Sequence, residues 1–247
     1  MYLKEYLKVR PLSFSDTYKI LKFFIKNKKE IKEDDKNFIK VKYNGLVWNL
    51  RYSMFDFDLG IVVGSHEKEV LKWVNFNEIE TFIDAGAYIG TYTLRAALNG
   101  KVYAFEPNPY SFEILKNNIK ANNLEDKVIL YNGALSDKNG EVKLCIGNVG
   151  SSLVFNECKN SLTVKSITLD SLNVSTVDMI KIDVEGSELN VINGGLKTLN
   201  NTRSILAETK DINFKEIDRI LRDKGFVMRR RTNTNDYTIY TLYEKRN

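Results

Sequence analysis

The stretch TFIDAGAYIG, Thr81 to Gly90, running straight into TYTLRAAL at 91–98, decides the fold. An apolar run ends on an acid, a loop with glycines at 86 and 90 turns the chain, and an amphipathic helix pattern follows. A strand that gives way to a helix within a few residues must turn sharply and bring its backbone close to whatever it meets, which suits glycine. The spacing is not G-x-G-x-x-G, and a pyrophosphate loop prefers uncharged amides at a helix N-terminus. An acid at the strand end points instead to the ammonium end of a cationic amino-acid ligand, engaged by Asp84 directly or through water; a tight strand–helix turn without a ligand is the plainer alternative. The loop residues Asp84, Gly86, Ala87, Tyr88, Gly90 and Thr91 are therefore candidate ligand contacts.

The next strand, KVYAFEP at 101–107, ends on Glu106 about twenty residues beyond the loop. A carboxylate there offers two oxygens to a pair of ribose hydroxyls, which fits a dinucleotide and S-adenosylmethionine equally. Asn108 adds a polar contact or caps the following helix, PYSFEILKNNIKANN at 109–123, whose Pro109 sits where a missing donor is harmless. Strand patterns recur at KVILYNGAL (127–135), VDMIKIDV (177–184) and SILAET (204–209), with helices at SELNVINGGLKTL (187–199) and Asn213 to Lys224. The last of these carries a possible Asn213 cap with Glu216 three residues on, and Gly225 past its end. This alternation demands a mostly parallel sheet. FVMRRR and YTIYTLYEK then flank the turn-rich TNTND, predicting a terminal antiparallel hairpin where a dinucleotide-binding sheet would add another strand–helix unit. The expectation is an α/β, Rossmann-like, mostly parallel seven-stranded sheet over 76–247, with a β-rich insertion at about 140–170 that includes a small-residue loop at Gly150, Ser151 and Ser152.

Residues 1–75 read as a small α+β extension. Asp16 is a plausible cap for a helix over TYKILKFFIKNKK, Asn44-Gly45 lies between two apolar runs as a type I′ hairpin signal, and Glu67 to Trp73 has helical spacing.

Other candidate site residues follow from strand ends. Ala134 and Asp137 after the third strand could floor and bond an adenine, against an exposed turn as the competitor. Asp183 and Glu185 stand at alternate positions where the fourth strand ends, at the switch point where open α/β sheets bind ligands. Acids on an apolar strand are costly to bury without a task, so Asp183 is the first candidate for base, acceptor-positioning group or donor contact and Glu185 the second, with helix capping near Ser187 as the structural alternative. Glu208, ending the fifth strand, is a third catalytic candidate. No complete metal cage is visible, although Asp183 and Glu185 could share a hydrated Mg²⁺. His66, the only histidine, suits a local hydrogen bond.

Composition narrows the classes. With 247 residues, 43% hydrophobic and 28% charged, the chain can bury a real core, and no apolar run is long enough to span a bilayer. The N-terminus lacks a signal-peptide pattern, and two cysteines thirteen positions apart suggest neither zinc nor a disulfide framework, which points to a reducing cytoplasm. A net charge of +5 is a mild bias, with Arg229, Arg230 and Arg231 reading as a solvated strand end before a nucleic-acid footprint.

FIDAGAYIGTYT, VYAFEPNPYSFEILKNNIKANN, ALSD, GSSL, ITLDSL and KIDVEGSELNVINGG, in this order over roughly 81–196, resemble the FkbM family of methyltransferases. The resemblance implies a class I methyltransferase fold, S-adenosylmethionine as donor, and O-methylation of sugars or other small hydroxyl compounds. RNA methylation is the enzymatic alternative, and a non-catalytic ligand-binding module the alternative of another class. The acceptor is expected to be a small molecule or glycan ahead of nucleic acid. One departure stands out: the family loop usually has Asn where this chain has Tyr88, which would narrow the donor pocket or stack on a ligand.

Overall fold

The structure, a computed structural model, describes residues 8–25, 38–65, 67–146, 151–152, 160–233 and 238–246. Its centre is a seven-stranded sheet in the order β13-β14-β12-β11-β4-β5-β6. These strands are β4 (Thr81–Ala85), β5 (Lys101–Phe105), β6 (Val128–Tyr131), β11 (Val177–Ile182), β12 (Thr202–Lys210), β13 (Phe226–Asn233) and β14 (Thr238–Lys245). The pairs among β6, β5, β4, β11 and β12 are parallel, whereas β14 runs antiparallel to both β12 and β13. The terminal hairpin is thus wedged into the sheet, with β14 inside and β13 at the edge.

Alternation along each strand sorts the two cores. Phe82, Val102, Ala104, Met179, Leu206 and Leu242 join one apolar cluster, and their neighbours Ile83, Phe105, Ile180, Ile205 and Tyr243 join the other. The second is closed by α6 (Glu188–Asn193) and α7 (Asp211–Asp223) through Val191, Ile192, Ile217 and Leu221. The first is closed by α4 (Thr91–Ala97) and α5 (Pro109–Ala121), and the N-terminal extension packs into it.

That extension holds β1 (Arg10–Pro11), α1 (Phe14–Ile25), the hairpin β2 (Phe38–Tyr43) and β3 (Leu46–Arg51), α2 (Phe55–Val62) and α3 (Lys68–Leu71). Asn44 and Gly45 both have positive φ, 50° and 81°, as a type I′ turn requires. Ile39, Val41, Trp48 and Leu50 are fully buried. Asn118 of α5 fixes β3, accepting the Asn49 N–H at 2.6 Å while donating to the Ile89 carbonyl at 2.9 Å. The extension and the sheet therefore share one core.

Several boundaries depart from the sequence reading. Helix α1 begins at Phe14; Ser13 Oγ accepts the Asp16 N–H at 3.0 Å, and Asp16 itself accepts the Lys40 N–H, so the cap is Ser13. The third strand breaks after Tyr131, because Gly133 lies against the Lys165 carbonyl, 2.9 Å from where a Cβ would stand. The chain then resumes as β7 (Ala134–Leu135) in a second sheet, β7-β10-β8-β9, with β8 (Gly140–Ile146), β9 (Ser151–Ser152) and β10 (Ser161–Ile167). The fourth-strand helix stops at Asn193 because Gly194 sits 2.0 Å, at its virtual Cβ, from the Ser136 carbonyl. Helix α7 starts at Asp211, so Asn213 is no cap; its amide donates to the Gly186 carbonyl, and Glu216 pairs with Arg219. Cys145 is disulfide-bonded, correcting the expectation of no disulfide; Cys158, His66 and Gly150 lie outside the described residues. Among the described residues no helix is long and apolar enough to cross a membrane.

Candidate functional site

A cavity of about 300 Å³ opens over the C-terminal ends of β4, β5, β11 and β12. Its floor is the Gly86–Tyr88 stretch of the glycine loop. Gly86 adopts φ +84°, and a Cβ there would stand 1.8 Å from the Asp183 carbonyl oxygen, so glycine is needed for two adjacent strand ends to meet. The N–H groups of Gly86 and Ala87 both donate to the Phe105 carbonyl, at 3.0 and 2.9 Å. The Tyr88 N–H donates to Glu106 Oε2 at 2.8 Å. Three successive loop amides are thereby consumed by the protein, which removes the cradle a pyrophosphate would need.

Glu106 is buried and also accepts the Asn108 N–H, at Oε1 and 2.8 Å. Burial pushes its carboxyl up to about 8; the Asn108 N–H pulls the other way and nearby Asp84 adds to the rise. Each oxygen keeps lone-pair capacity for one further donor. Asn108 lines the cavity, and its side chain caps α5 by accepting the Tyr110 N–H at 2.9 Å. Ala134, Thr91, Ala87, Tyr88 and Gly86 line the cavity too; Thr91 Oγ1 is buried there without a hydrogen-bond partner.

Three expected contacts lie off the cavity wall. Asp84 is fully buried behind the loop, accepting the Thr93 hydroxyl at 2.6 Å, with its Oδ1 unpartnered. Gly90 faces Leu94 and Leu115, either of which a Cβ would strike. Asp137 is exposed in the turn after β7, accepting from the Ser136 hydroxyl.

The opposite wall is acidic. Asp183, Glu185 and Glu208 line it, joined by Glu67 from the extension. Carboxylate oxygens of Glu67, Asp183 and Glu208 lie within 4.8 Å of one another. Such crowding is tolerable because Lys181 sits among them, its ammonium 2.7 Å from Asp183 Oδ2 and 5.0 Å above the Tyr92 ring. Burial opposes the charge on Lys181, but Asp183, Asp84 and Glu67 outweigh it and hold the lysine above its ordinary range. Burial, reinforced by Asp183 and Glu67, pushes Glu208 up to about 10. Burial likewise raises Glu67, which accepts the Tyr92 hydroxyl at 2.7 Å. Neither Asp183 nor Glu185 caps α6, whose N-cap Ser187 makes no side-chain cap bond; Glu188 accepts the Gly186 N–H at 2.6 Å, and Glu185 lies 3.9 Å from Lys210.

The third wall comes from the extension: Arg51, Met54, Phe57 and Ile61. Arg51 is ion-paired with fully buried Asp58 at 2.6 Å, and the Tyr88 hydroxyl donates to Asp58 at 2.9 Å while Arg51 donates to Tyr88. Tyr88 holds φ +51°, a left-handed conformation that Asn tolerates better than an aromatic residue. Its phenol bolts the loop to the extension, with the Phe57 ring edge-on at 6.1 Å.

Lys181, Glu67, Tyr92, Tyr240 and Arg51 were not singled out from sequence. Lys181 carried a readable signal: a cation two residues before Asp183 on an apolar strand shares its face and needs a partner. Tyr240 is in register with Glu208 only through β14, which no local pattern reveals.

Comparison with known proteins places this geometry. The sequence profile of the Methyltransferase FkbM domain matches residues 84–228, from the glycine loop to the terminal hairpin. The chain belongs to the FkbM methyltransferase family. This FkbM methyltransferase is 30% identical over 190 residues to the hexuronic acid methyltransferase AglP of Haloferax volcanii, covering 68% of this chain and 78% of that one. Its fold is shared with the crystal structure of methyltransferase FkbM from Methylobacillus flagellatus KT, at TM-score 0.52 and 13% identity over 93% of this chain and 60% of that one. It is shared as well with the tRNA m1G37 methyltransferase of M. jannaschii, at TM-score 0.53 and 17% identity over 87% of this chain and 58% of that one. The FkbM methyltransferase thus spans less than two thirds of either solved chain, and the likeness to them is one of fold.

Proposed function

We propose that this FkbM methyltransferase moves a methyl group from S-adenosylmethionine to a hydroxyl of a saccharide or other small polyol. The observation that carries this reading is the division of one cavity into a ribose-competent end at Glu106 and a carboxylate-rich end at Asp183, Glu67 and Glu208. The donor end suits S-adenosylmethionine: Glu106 retains acceptor capacity, Thr91 Oγ1 is a buried orphan on the wall, and the loop amides are closed to a pyrophosphate. Glu106 would hold the ribose, Ala134 and Phe105 would flank the base, and the loop from Gly86 to Tyr88 would pass beneath the amino-acid end. Asp84 would act from behind, by fixing the loop through Thr93.

The bound donor supplies an activated methyl on a sulfonium, so the chain's own task is to orient the acceptor and take its proton. Lys181 engages Asp183 at Oδ2, which fixes the carboxylate beside the cavity. An acceptor hydroxyl donating to Asp183 would release its proton there as the new O–methyl bond forms and the methyl–sulfur bond breaks, its electron pair staying on sulfur and S-adenosylhomocysteine leaving. Glu208, retaining its own proton near neutrality, would donate to a second acceptor oxygen, as pairs of carboxyls with separated affinities divide donor and acceptor roles. Glu185, more exposed and beside Lys210, stands as the alternative contact at the rim.

A wall of closely spaced carboxyl groups is matched to the hydroxyls of a polyol, and this sets the saccharide reading above RNA methylation. A panel of saccharides, nucleosides and tRNA incubated with methyl-labelled donor tests it. Label on a saccharide supports the proposal; label confined to tRNA refutes it.

A further inference from the structure

Helix α1 turns an apolar ridge away from the protein. Two of its charged side chains face the protein: Asp16 is 7% exposed and accepts the Lys40 N–H at 3.0 Å, and Lys19 donates to the Phe38 carbonyl at 2.9 Å. Ile20 packs against the core, whereas Phe14, Tyr18 and Leu21 face outward at 97%, 65% and 56% exposure, and Leu12 just before the helix is 48% exposed. Phe14, Tyr18 and Leu21 follow the i, i+4, i+7 rule and fall within about 60° of arc, so they form one ridge. A helix normally buries such a ridge, yet no described element of this chain covers it.

Charge says what does. Residues 1–42 contain twelve Lys and Arg against six Asp and Glu, a net charge of +6, whereas the other 205 residues sum to −1. The basic character of the protein is therefore gathered in the segment that carries the exposed ridge. Lys22 flanks the ridge and its ammonium lies 6.0 Å from the Tyr18 ring centre. Aromatic and aliphatic side chains protruding from a helix set in a lysine-rich segment are the chemistry of an interfacial anchor, in which the ridge enters the acyl boundary and the lysines of the segment meet anionic headgroups. A polyanion without an apolar phase would satisfy the lysines and leave Phe14 in water. A second copy of this chain would bring like charge against like.

We propose that the outer face of α1 docks this protein on the surface of a bilayer rich in anionic lipid, as a peripheral contact. Co-sedimentation of the full chain with phosphatidylcholine vesicles, with and without phosphatidylglycerol, tests it. The expected result is partition stronger by about tenfold or more on the mixed vesicles, lost at high salt and lost in the Phe14→Ser, Leu21→Ser double variant. Both side chains are outside the core, so the variant's melting curve should match the parent's. Absence of partition on either vesicle overturns the proposal. So does partition that survives the double variant, because lysines alone would then suffice. A dimer in light scattering that the variant converts to monomer, without vesicle binding, would assign the ridge to a second copy instead.

Discussion

Glu106 should make the affinity for the methyl donor depend on pH across the neutral range, where an ordinary surface carboxylate, ionised throughout, would add no dependence. Its carboxyl is buried and titrates at about 8, and only the ionised form can accept from both ribose hydroxyls while holding Tyr88 and Asn108. Two units below that value, near pH 6, about 1% of the free protein has Glu106 charged. Donor affinity should therefore fall about tenfold per unit as pH drops below about 8, each tenfold being about 1.4 kcal/mol, and level off above it. The donor's own amino group titrates near 7.7–8.0, so the slope must be read against a variant. Glu106→Gln keeps the shape but removes the titration, and its amide must face either the Tyr88 or the Asn108 N–H, donor against donor. It should bind about 10- to 100-fold more weakly than the parent above pH 8, the cost of charge-assisted hydrogen bonds worth about 1.5–3 kcal/mol, with the extra slope gone. Isothermal calorimetry between pH 6 and 9 on both proteins measures this. Parallel pH profiles for parent and variant would refute the role of Glu106.

Further predictions concern the acceptor wall and the frame. Asp183→Asn should leave donor dissociation within a few-fold of the parent while lowering kcat by about 10²- to 10⁴-fold, as loss of a proton acceptor does; equal loss of both, in single-turnover and calorimetric assays, would make the residue a structural or donor contact. Glu208 binds its proton more tightly folded than unfolded, so unfolding free energy should fall as pH rises from about 4.5 toward about 10; urea titrations of Glu208→Gln should show a flatter pH profile and greater stability at pH 8. Asn118→Ala orphans the buried Asn49 N–H and Ile89 carbonyl, about 1–3 kcal/mol each, and should lower the melting temperature by at least several degrees. Gly86→Ala must displace the Asp183 carbonyl from a virtual 1.8 Å contact and should cost about 3 kcal/mol or more in chemical denaturation.

The sheet was readable because its signals are local. Apolar strands ending in acids, glycines at 86 and 90, and the Asn44-Gly45 turn act within a few residues, and each appears where its pattern put it. Helix α2 went unread although Phe55, Leu59 and Val62 carry helical spacing, because acids and a glycine interleave them in FDFDLGIV. What the sequence concealed is convergence between distant segments. Glu67 meets Asp183 and Glu208 only once the extension folds across the strand ends, and Arg51 with Asp58 meets Tyr88 only across the hairpin. Tyr88 is the instructive residue: its departure from the usual Asn is visible in one letter, yet its partners are 30 and 37 positions away. The loop itself proved subtler than its composition. Gly86 serves the close approach of Asp183, Gly90 the packing of Leu94 and Leu115, and Asp84 is turned inward to Thr93.

The most direct measurement of the account is the position of the transferred methyl. Protein incubated with S-adenosyl-[methyl-¹³C]methionine and a saccharide acceptor should yield S-adenosylhomocysteine and a ¹³C methyl ether at a former hydroxyl oxygen in equal amounts, assigned by NMR, with Asp183→Asn nearly silent. A label found on a nucleobase nitrogen of tRNA, with saccharides unlabelled, would contradict the account.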